Sequence, residues 1–287
     1  MVKIAVASGK GGTGKTFLAM CLAQKLAEVD PIVLDTDVEE PNIGLFLQHN
    51  IVQTKNVSRP VPGIDYDKCT LCGECAEVCN FNALAVLADE ITLFPELCHS
   101  CGACSYLCPE NAINEIDYYI GSIEIAKLVH GGQIFTGRLK IGEAYSPPLI
   151  NAVKDYATNA SVVIMDCPPG TTCPMIEAIR GVDFCILAVE PTPFGLHDLN
   201  LALEAVHMLK IPCGLVINKW DGDEGVIKEL KEKYNLPVLG KIPFSVELAS
   251  AYAKGEDVFT ILPELQEIIE SLLDQVRSEC RERNISY

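Results

Sequence analysis

Short apolar runs alternate along this chain with stretches of helical spacing. Lys3-Ile4-Ala5-Val6-Ala7 has the look of a buried strand, and Leu18, Leu22 and Leu26 follow at the four-residue interval of a helix face. Pro31 to Asp37 repeats the strand pattern and ends on the carboxylates Asp35 and Asp37. Farther on, Gln133–Gly142, Val162–Met165, Phe184–Val189, Gly214–Ile217 and Pro237–Ile242 read as strands. Helical patterns separate them: from Pro147-Pro148 to about Thr158, at Leu196–Leu209, Glu224–Tyr234 and Val246–Lys254, with a last amphipathic one from near Pro263 towards Cys280. Strands alternating with helices predict right-handed βαβ units in an α/β fold, a mostly parallel sheet with helices on both faces.

That rhythm breaks between residues 58 and 117, where the chain is rich in cysteine and repeats itself at the 29-residue offset from Cys69 to Cys98. Asp67-Lys68-Cys69 through Ala83-Leu84 corresponds to Glu96-Leu97-Cys98 through Ala112-Ile113. The expected organisation is therefore one α/β domain made of residues 1–57 and 118–287, interrupted by a small α+β module at 58–117.

Composition narrows the classes. Of 287 residues 49% are apolar, enough for a large core. No run of about 18 uncharged apolar residues suggests a membrane span. The chain enters a strand within two residues, without a cationic leader, so a cytoplasmic location is expected. A net charge of −17 disfavours nucleic acid and anionic lipid as partners. In such a chain the 14 cysteines read as metal ligands rather than disulfides.

The chemistry begins at Gly9-Lys10-Gly11-Gly12-Thr13-Gly14-Lys15-Thr16, a match to G-x-x-x-x-G-K-S/T between a strand and a helix. Glycines let backbone N–H groups close round phosphate oxygens, and the helix start adds its positive dipole end. Lys15 brings charge to the β/γ-phosphates and Thr16 is placed to ligate Mg²⁺. Asp166, ending the strand Val162–Met165, suits a Mg²⁺-holding position, with Gly170 close behind to sense the γ-phosphate; the alternative is that Asp166 caps a helix. Asp35 and Asp37 can share the same ion and water shell, and Asn218 could read a base edge.

In the module, Cys69-x2-Cys72-x2-Cys75-x3-Cys79 and Cys98-x2-Cys101-x2-Cys104-x3-Cys108-Pro109 are two copies of one pattern. Three tightly spaced thiolates wrap one cube, and the fourth cysteine reaches the other cluster. One [4Fe-4S] cluster is thus assigned to Cys69, Cys72, Cys75 and Cys108, the other to Cys79, Cys98, Cys101 and Cys104. Structural zinc, the alternative, favours paired C-x2–4-C knuckles separated by longer loops. The module carries two basic residues, Arg59 and Lys68, against ten acidic ones, a net of −8 that suits a basic docking partner.

The extra lysine after the first glycine, Lys10, gives the deviant Walker A pattern, which resembles the MinD/ParA/Mrp class of ATPases. Asp35-Thr36-Asp37, Asp166-x-Pro168-Pro169-Gly170, Glu190-Pro191-Thr192 and Gly240-Lys241-Ile242-Pro243-Phe244 resemble the same class, especially its Mrp-type cluster-carrier branch. The cysteine module resembles a bacterial-type ferredoxin inserted into it. The resemblance implies a homodimer sandwiching two nucleotides, with Lys10 reaching the partner's phosphates in trans. It further implies that Asp37 orients the attacking water, that Asn218 contacts adenine, and that Pro243 belongs to the nucleotide site. Asn218-Lys219-Trp220-Asp221 also matches the N-K-x-D of GTPases, which keeps GTP in view beside ATP. The expected function is ATP hydrolysis coupled to electron transfer in iron–sulfur or metallocofactor assembly, or to reduction of a redox partner. The alternatives are a cluster carrier and a spatial-positioning switch. Cys167 and Cys173 read as small semi-buried residues, or as part of a shared interface site with Cys173 the better candidate. Cys21, Cys185 and Cys213 read as core, Cys280 as part of a polar tail, and His197 as a surface residue near a helix start.

Overall fold

The computed structural model describes residues 1–158 and 160–282. Its strands are β1 (Val2–Ala7), β2 (Ile32–Asp35), β3 (His49–Ile64), β4 (Leu84–Val86), β5 (Ile91–Leu93), β6 (Ile113–Leu128), β7 (Gln133–Leu139), β8 (Val162–Asp166), β9 (Phe184–Val189), β10 (Cys213–Trp220) and β11 (Val238–Pro243). The helices are α1 (Lys15–Lys25), α2 (Glu74–Glu77), α3 (Ala103–Leu107), α4 (Pro147–Lys154), α5 (Cys173–Ile179), α6 (Pro193–Met208), α7 (Glu224–Tyr234), α8 (Val246–Lys254), α9 (Val258–Ile261) and α10 (Glu264–Glu282).

Nine strands form one sheet in the order β11-β10-β9-β1-β8-β2-β7-β6-β3. The seven from β11 to β7 are parallel; β6 and β3 continue it antiparallel at one edge. Alternation along the parallel strands divides the core into two layers. Ala5, Leu34, Met165 and Leu187 pack with α4, α5 and α6 on one face. Val6, Val33, Ile164 and Ile186 pack with α1, α8 and α10 on the other. Central strands buried on both faces read as continuous apolar runs, as parallel sheets require. Cys280, expected in a polar tail, is instead a buried residue of the second layer: α10 is amphipathic and continues its apolar face to that turn.

The parallel register brings the functional ends together. Val6 pairs with Asp166 and Asp35 also pairs with Asp166, so the loops after β1, β2 and β8 leave one edge of the sheet side by side.

At the other edge, β3 and β6 pair from His49↔Leu128 to Ile64↔Ile113, with register shifts between Ile51 and Gln53 and between Val57 and Ser58. Only the body-side part of β6, Gly121–Lys127, also pairs with β7. The remainder is a two-stranded ribbon running through residues 58 and 117 and carrying residues 65–112 at its end. Those residues hold two short helices and the hairpin β4–β5, and with Val61 and Ile113 of the ribbon they form two small apolar clusters, around Cys75, Leu84 and Ile91 and around Val61, Ala83 and Cys98. The repeat seen in the sequence is a repeat of backbone shape. Leu71, Gly73 and Asn82 take left-handed conformations (φ 57°, 88° and 52°), as do Ser100, Gly102 and Asn111 (54°, 71° and 49°).

Candidate functional site: a phosphate loop and two cysteine recesses

Residues 8–14 link β1 to α1 with two glycines in the left-handed region, Gly12 at φ 78° and Gly14 at φ 90°. Gly14 is the N-cap of α1 and contributes no side chain to it, so the first N–H groups of the helix face the loop without a side-chain acceptor, the arrangement that receives phosphate. The loop is pressed against its surroundings at two glycines. A Cβ on Gly9 would lie 2.1 Å from the Asp198 carbonyl oxygen of α6, and one on Gly14 would lie 2.0 Å from Asn218 Nδ2. Gly11 sits in open space. Lys15 and Thr13 are buried, and Thr13 Oγ1 has no hydrogen-bond partner among the described residues.

Asn218 Nδ2 donates to Thr13 O at 2.7 Å, and Lys219 Nζ donates to Gly12 O at 2.9 Å. The two residues thus hold the phosphate loop from behind, and Asp221 lies exposed. Glu190, at the end of β9, takes both lysines. Lys10 Nζ is 3.1 Å from its Oε2, and Lys219 pairs with its Oε1. Burial raises the Glu190 carboxyl, but its contacts with Lys219 and Lys10 outweigh that and hold it below the usual carboxylate value. The holding roles of Glu190 and Lys219 were not read from the sequence, where only the Glu190-Pro191-Thr192 run hinted at the first. Pro243 ends β11, and Phe244 N donates to Trp220 O at 3.0 Å beside the Asn218 segment.

Across the loop stand the carboxylates. Asp35 and Asp166 are fully buried, and Asp35 Oδ1 and both Asp166 oxygens lack hydrogen-bond partners among the described residues. Burial pushes Asp166 up to about 7 against the pull of Lys15 and the Thr16 hydroxyl. Burial and the neighbouring Asp166 and Asp37 charges push Asp35 well up. Half-buried Asp37, just beyond the end of β2, is raised to about 6 by burial, with Lys15 opposing. Asp166 caps no helix: α5 begins at Cys173 with Thr172 as its cap, which removes the capping alternative. Orphaned buried carboxylate oxygens beside Thr16 fit a hard divalent cation, which takes oxygen ligands and keeps several waters. Gly170 (φ 94°) donates its N–H to Ser8 O at 3.1 Å and borders the same loop.

The cysteines gather in two places. Cys69, Cys72, Cys75 and Cys108 line one recess of about 320 Å³. Cys79, Cys98, Cys101 and Cys104 line another of about 450 Å³; both volumes include solvent-open space. Each recess therefore takes three cysteines from one run and the fourth from the other. Backbone amides point at several sulfurs: Ala83 N to Cys79 Sγ and Ala112 N to Cys108 Sγ, each 3.3 Å, and Ser100 N to Cys98 Sγ at 3.4 Å. Such donors favour thiolate over thiol. Among the described residues no three His, Cys, Asp or Glu side chains are set round a single metal ion. A [4Fe-4S] cube takes one thiolate at each of its four iron corners, a wider arrangement, and the recess-and-quartet pairing fits it. Cys167 is fully buried, and Cys173, at the start of α5, is exposed.

A glycine loop between the first strand and helix of a parallel sheet, facing buried carboxylates at the ends of the adjoining β8 and of β2 beyond it, defines a P-loop nucleotide-binding protein. Residues 4–258 match the CobQ/CobB/MinD/ParA nucleotide binding domain, and the chain belongs to that family. An uncharacterized protein of Methanocaldococcus jannaschii is 29% identical over 280 residues, covering 96% of this chain and 98% of its own. An iron-sulfur cluster carrier protein of Pyrococcus abyssi is 24% identical, over 88% of this chain and 77% of that one. The septum site-determining protein MinD of Pyrococcus horikoshii, complexed with Mg-ADP, has the same fold, with a TM-score of 0.57 at 18% identity over 96% of this chain and 95% of that one. No helix among the described residues is long and apolar enough to cross a membrane.

Proposed function

We propose that this chain is an ATPase whose nucleotide state governs electron transfer through two [4Fe-4S] clusters, held by the two cysteine quartets in a ferredoxin-like insert. The observation that carries this reading is the pair of recesses, each lined by one complete quartet. With eight cysteines saturating two cubes, neither cluster has the open position that favours handing it on. The clusters, when bound, would supply one-electron carriers to a metallocofactor-assembly or other redox partner.

On this reading Lys15 and the N–H groups of the loop bind the β/γ-phosphates, and Asp37 orients the attacking water. Asp35, Asp166 and Thr16 hold Mg²⁺, which when bound supplies positive charge to the same phosphates. The loop is of the deviant Walker A type. Lys10, paired with Glu190 in the chain alone, exchanges that partner for the phosphates of a second protomer across a homodimer interface. Asn218 and Pro243 line the base end, and adenine rather than guanine is the expected base.

A second reading, a cluster carrier, draws on the 24%-identical relative of that name. Anaerobically purified protein separates the two. Redox coupling predicts about eight iron per chain, none lost to apo-ferredoxin during ATP turnover, and a cluster potential that moves when ATP binds. Transfer of iron to apo-ferredoxin would establish the carrier instead, and an ATP-independent potential and electron-transfer rate would end the redox reading. GTP turnover matching that of ATP would overturn the base assignment.

A further inference from the structure

Arg59 and Glu143 are the most enclosed ion pair among the described residues, with side chains 1% and 0% exposed and Nη2 3.4 Å from Oε1. Arg59 lies on the ribbon strand β3, and Glu143 in the turn that follows β7. Burying two charges costs several kcal/mol each, and an apolar pair of similar volume would fill the space as well. The pair is also incompletely satisfied, since Arg59 Nε and Glu143 Oε2 have no hydrogen-bond partner among the described residues. Stability alone gives little reason for such a pair. Its directional contacts give a better one.

Towards the module, Arg59 Nη2 donates to Pro95 O at 2.6 Å and Nη1 to Ser100 Oγ at 3.3 Å. Ser100 N in turn points at Cys98 Sγ. Towards the body, Glu143 Oε1 accepts from Tyr145 N at 3.0 Å, and the Tyr145 ring packs against His99, with centroids 4.3 Å apart. The next residue, Ser146, donates from Oγ to Glu39 Oε1 at 3.2 Å, and Leu139 N donates to Val38 O at 2.8 Å. Val38 and Glu39 directly follow Asp37. Hydrogen bonds, joined by the backbone from Tyr145 to Ser146, thus connect the loop beside the phosphate site to the wall of the recess lined by Cys98.

We propose that Arg59, Glu143 and Ser146 are positioning residues that make the Asp37–Glu39 loop and the Pro95–Cys101 segment move as one. Nucleotide binding at the first then alters the second. This rests on the nucleotide reading above and supplies its coupling route, but needs no assumption about what the recess holds. The contacts run from 2.6 to 3.4 Å, and the pair is too enclosed for water to replace either partner, so a displacement of Glu39 passes through Ser146 and Glu143 to Arg59 instead of being absorbed.

Hydrogen exchange on the full chain, prepared anaerobically with and without Mg²⁺ and a non-hydrolysable ATP analogue, tests it. In the parent protein the analogue should slow exchange across residues 9–16 and change it at 95–101 by at least about threefold. R59M/E143L should keep the response at 9–16 and lose that at 95–101. S146A leaves the ion pair intact but cuts its link to Glu39, and should at least halve the distant response; it decides the matter alone if the double variant does not fold. An unchanged response at 95–101 in a folded R59M/E143L or in S146A overturns the proposal, as does a parent protein that binds analogue with no change there. Failure of the analogue to bind at all would instead refute the nucleotide reading and this inference with it.

Discussion

Asp166 sets the pH behaviour of the nucleotide-free chain. Burial pushes its carboxyl up to about 7 from an ordinary value of 3.8, against the pull of Lys15 and the Thr16 hydroxyl. Between those values the folded state holds a proton that the unfolded state has released, so stability falls as pH rises from about 4 to 7. Asp35 and Asp37 shift in the same direction and add to the slope. The protein without nucleotide should therefore melt at a higher temperature at pH 5.5 than at pH 8. Mg²⁺ with ATP should reverse that order, because it demands the charged forms; calorimetric melting at the two pH values checks both. Asp166→Asn removes the orphaned charge and should raise stability at pH 8 by about 1–3 kcal/mol. The same change should abolish Mg²⁺-dependent nucleotide binding by titration calorimetry. A variant that loses both stability and binding would show that the carboxylate has a structural partner. That Lys15 and Asp166 meet at one end of the sheet and that the eight cysteines gather as two quartets was legible in the sequence, because motif spacing and the internal repeat carry it. Arg59, Glu143 and the clamping role of Glu190 were not, because each depends on neighbours remote in the chain. A faint signal existed for Arg59, one of only two cations between residues 58 and 117.

The loop from β1 to α1 separates two effects of glycine. Gly12 and Gly14 both take positive φ, but a Cβ on Gly12 meets nothing within 4 Å, while one on Gly14 would overlap Asn218 Nδ2 at 2.0 Å. Gly12→Ala should cost only the left-handed backbone penalty, about 1–2 kcal/mol. Gly14→Ala adds a steric conflict with the amide that holds Thr13 O, so it should destabilise further and weaken nucleotide binding at least about tenfold more than Gly12→Ala does. Guanidinium melts and calorimetric dissociation constants for the two variants test the difference, and equal effects would mean that Asn218 swings aside freely. Most elements of the body were readable to within a few residues: β9 and α8 match the pattern, and β8 runs one residue longer, because buried parallel strands and amphipathic helices leave strong periodicities; the short α5 and α9 were missed. The ribbon was not readable. Residues 50–56 of β3 are exposed, and Pro60, Pro62 and Gly63 lie in its outer part, so no face alternates cleanly and the segment reads as loop. What holds it is pairing with β6, which no local pattern reveals: at the body end His49 faces Leu128, 79 residues on.

At the scale of the whole molecule, the ribbon makes the cysteine module separable from the nucleotide body. Ile64 and Ile113 face each other at its outer end, and Asp65 N still donates to Ala112 O at 2.8 Å, so the chain leaves and re-enters at adjacent points. The two apolar clusters of the module share no residue with the two layers of the main sheet, apart from Tyr118 at their border. Joining Ile64 to Ile113 through Asn-Gly, a sequence suited to a two-residue hairpin turn, should therefore leave a body that folds cooperatively. Arg59 would lose Pro95 and Ser100 but keep Glu143, and that exposure should lower stability by about 1–3 kcal/mol relative to the full chain. Nucleotide binding should persist within about threefold, since the phosphate loop and its carboxylates make none of their contacts with residues 65–112 and the coupling route adjusts affinity without creating it. Iron should be absent from the shortened protein and present in the parent. Loss of nucleotide binding on deletion, with the fold intact by circular dichroism, would show that the module completes the site rather than responding to it.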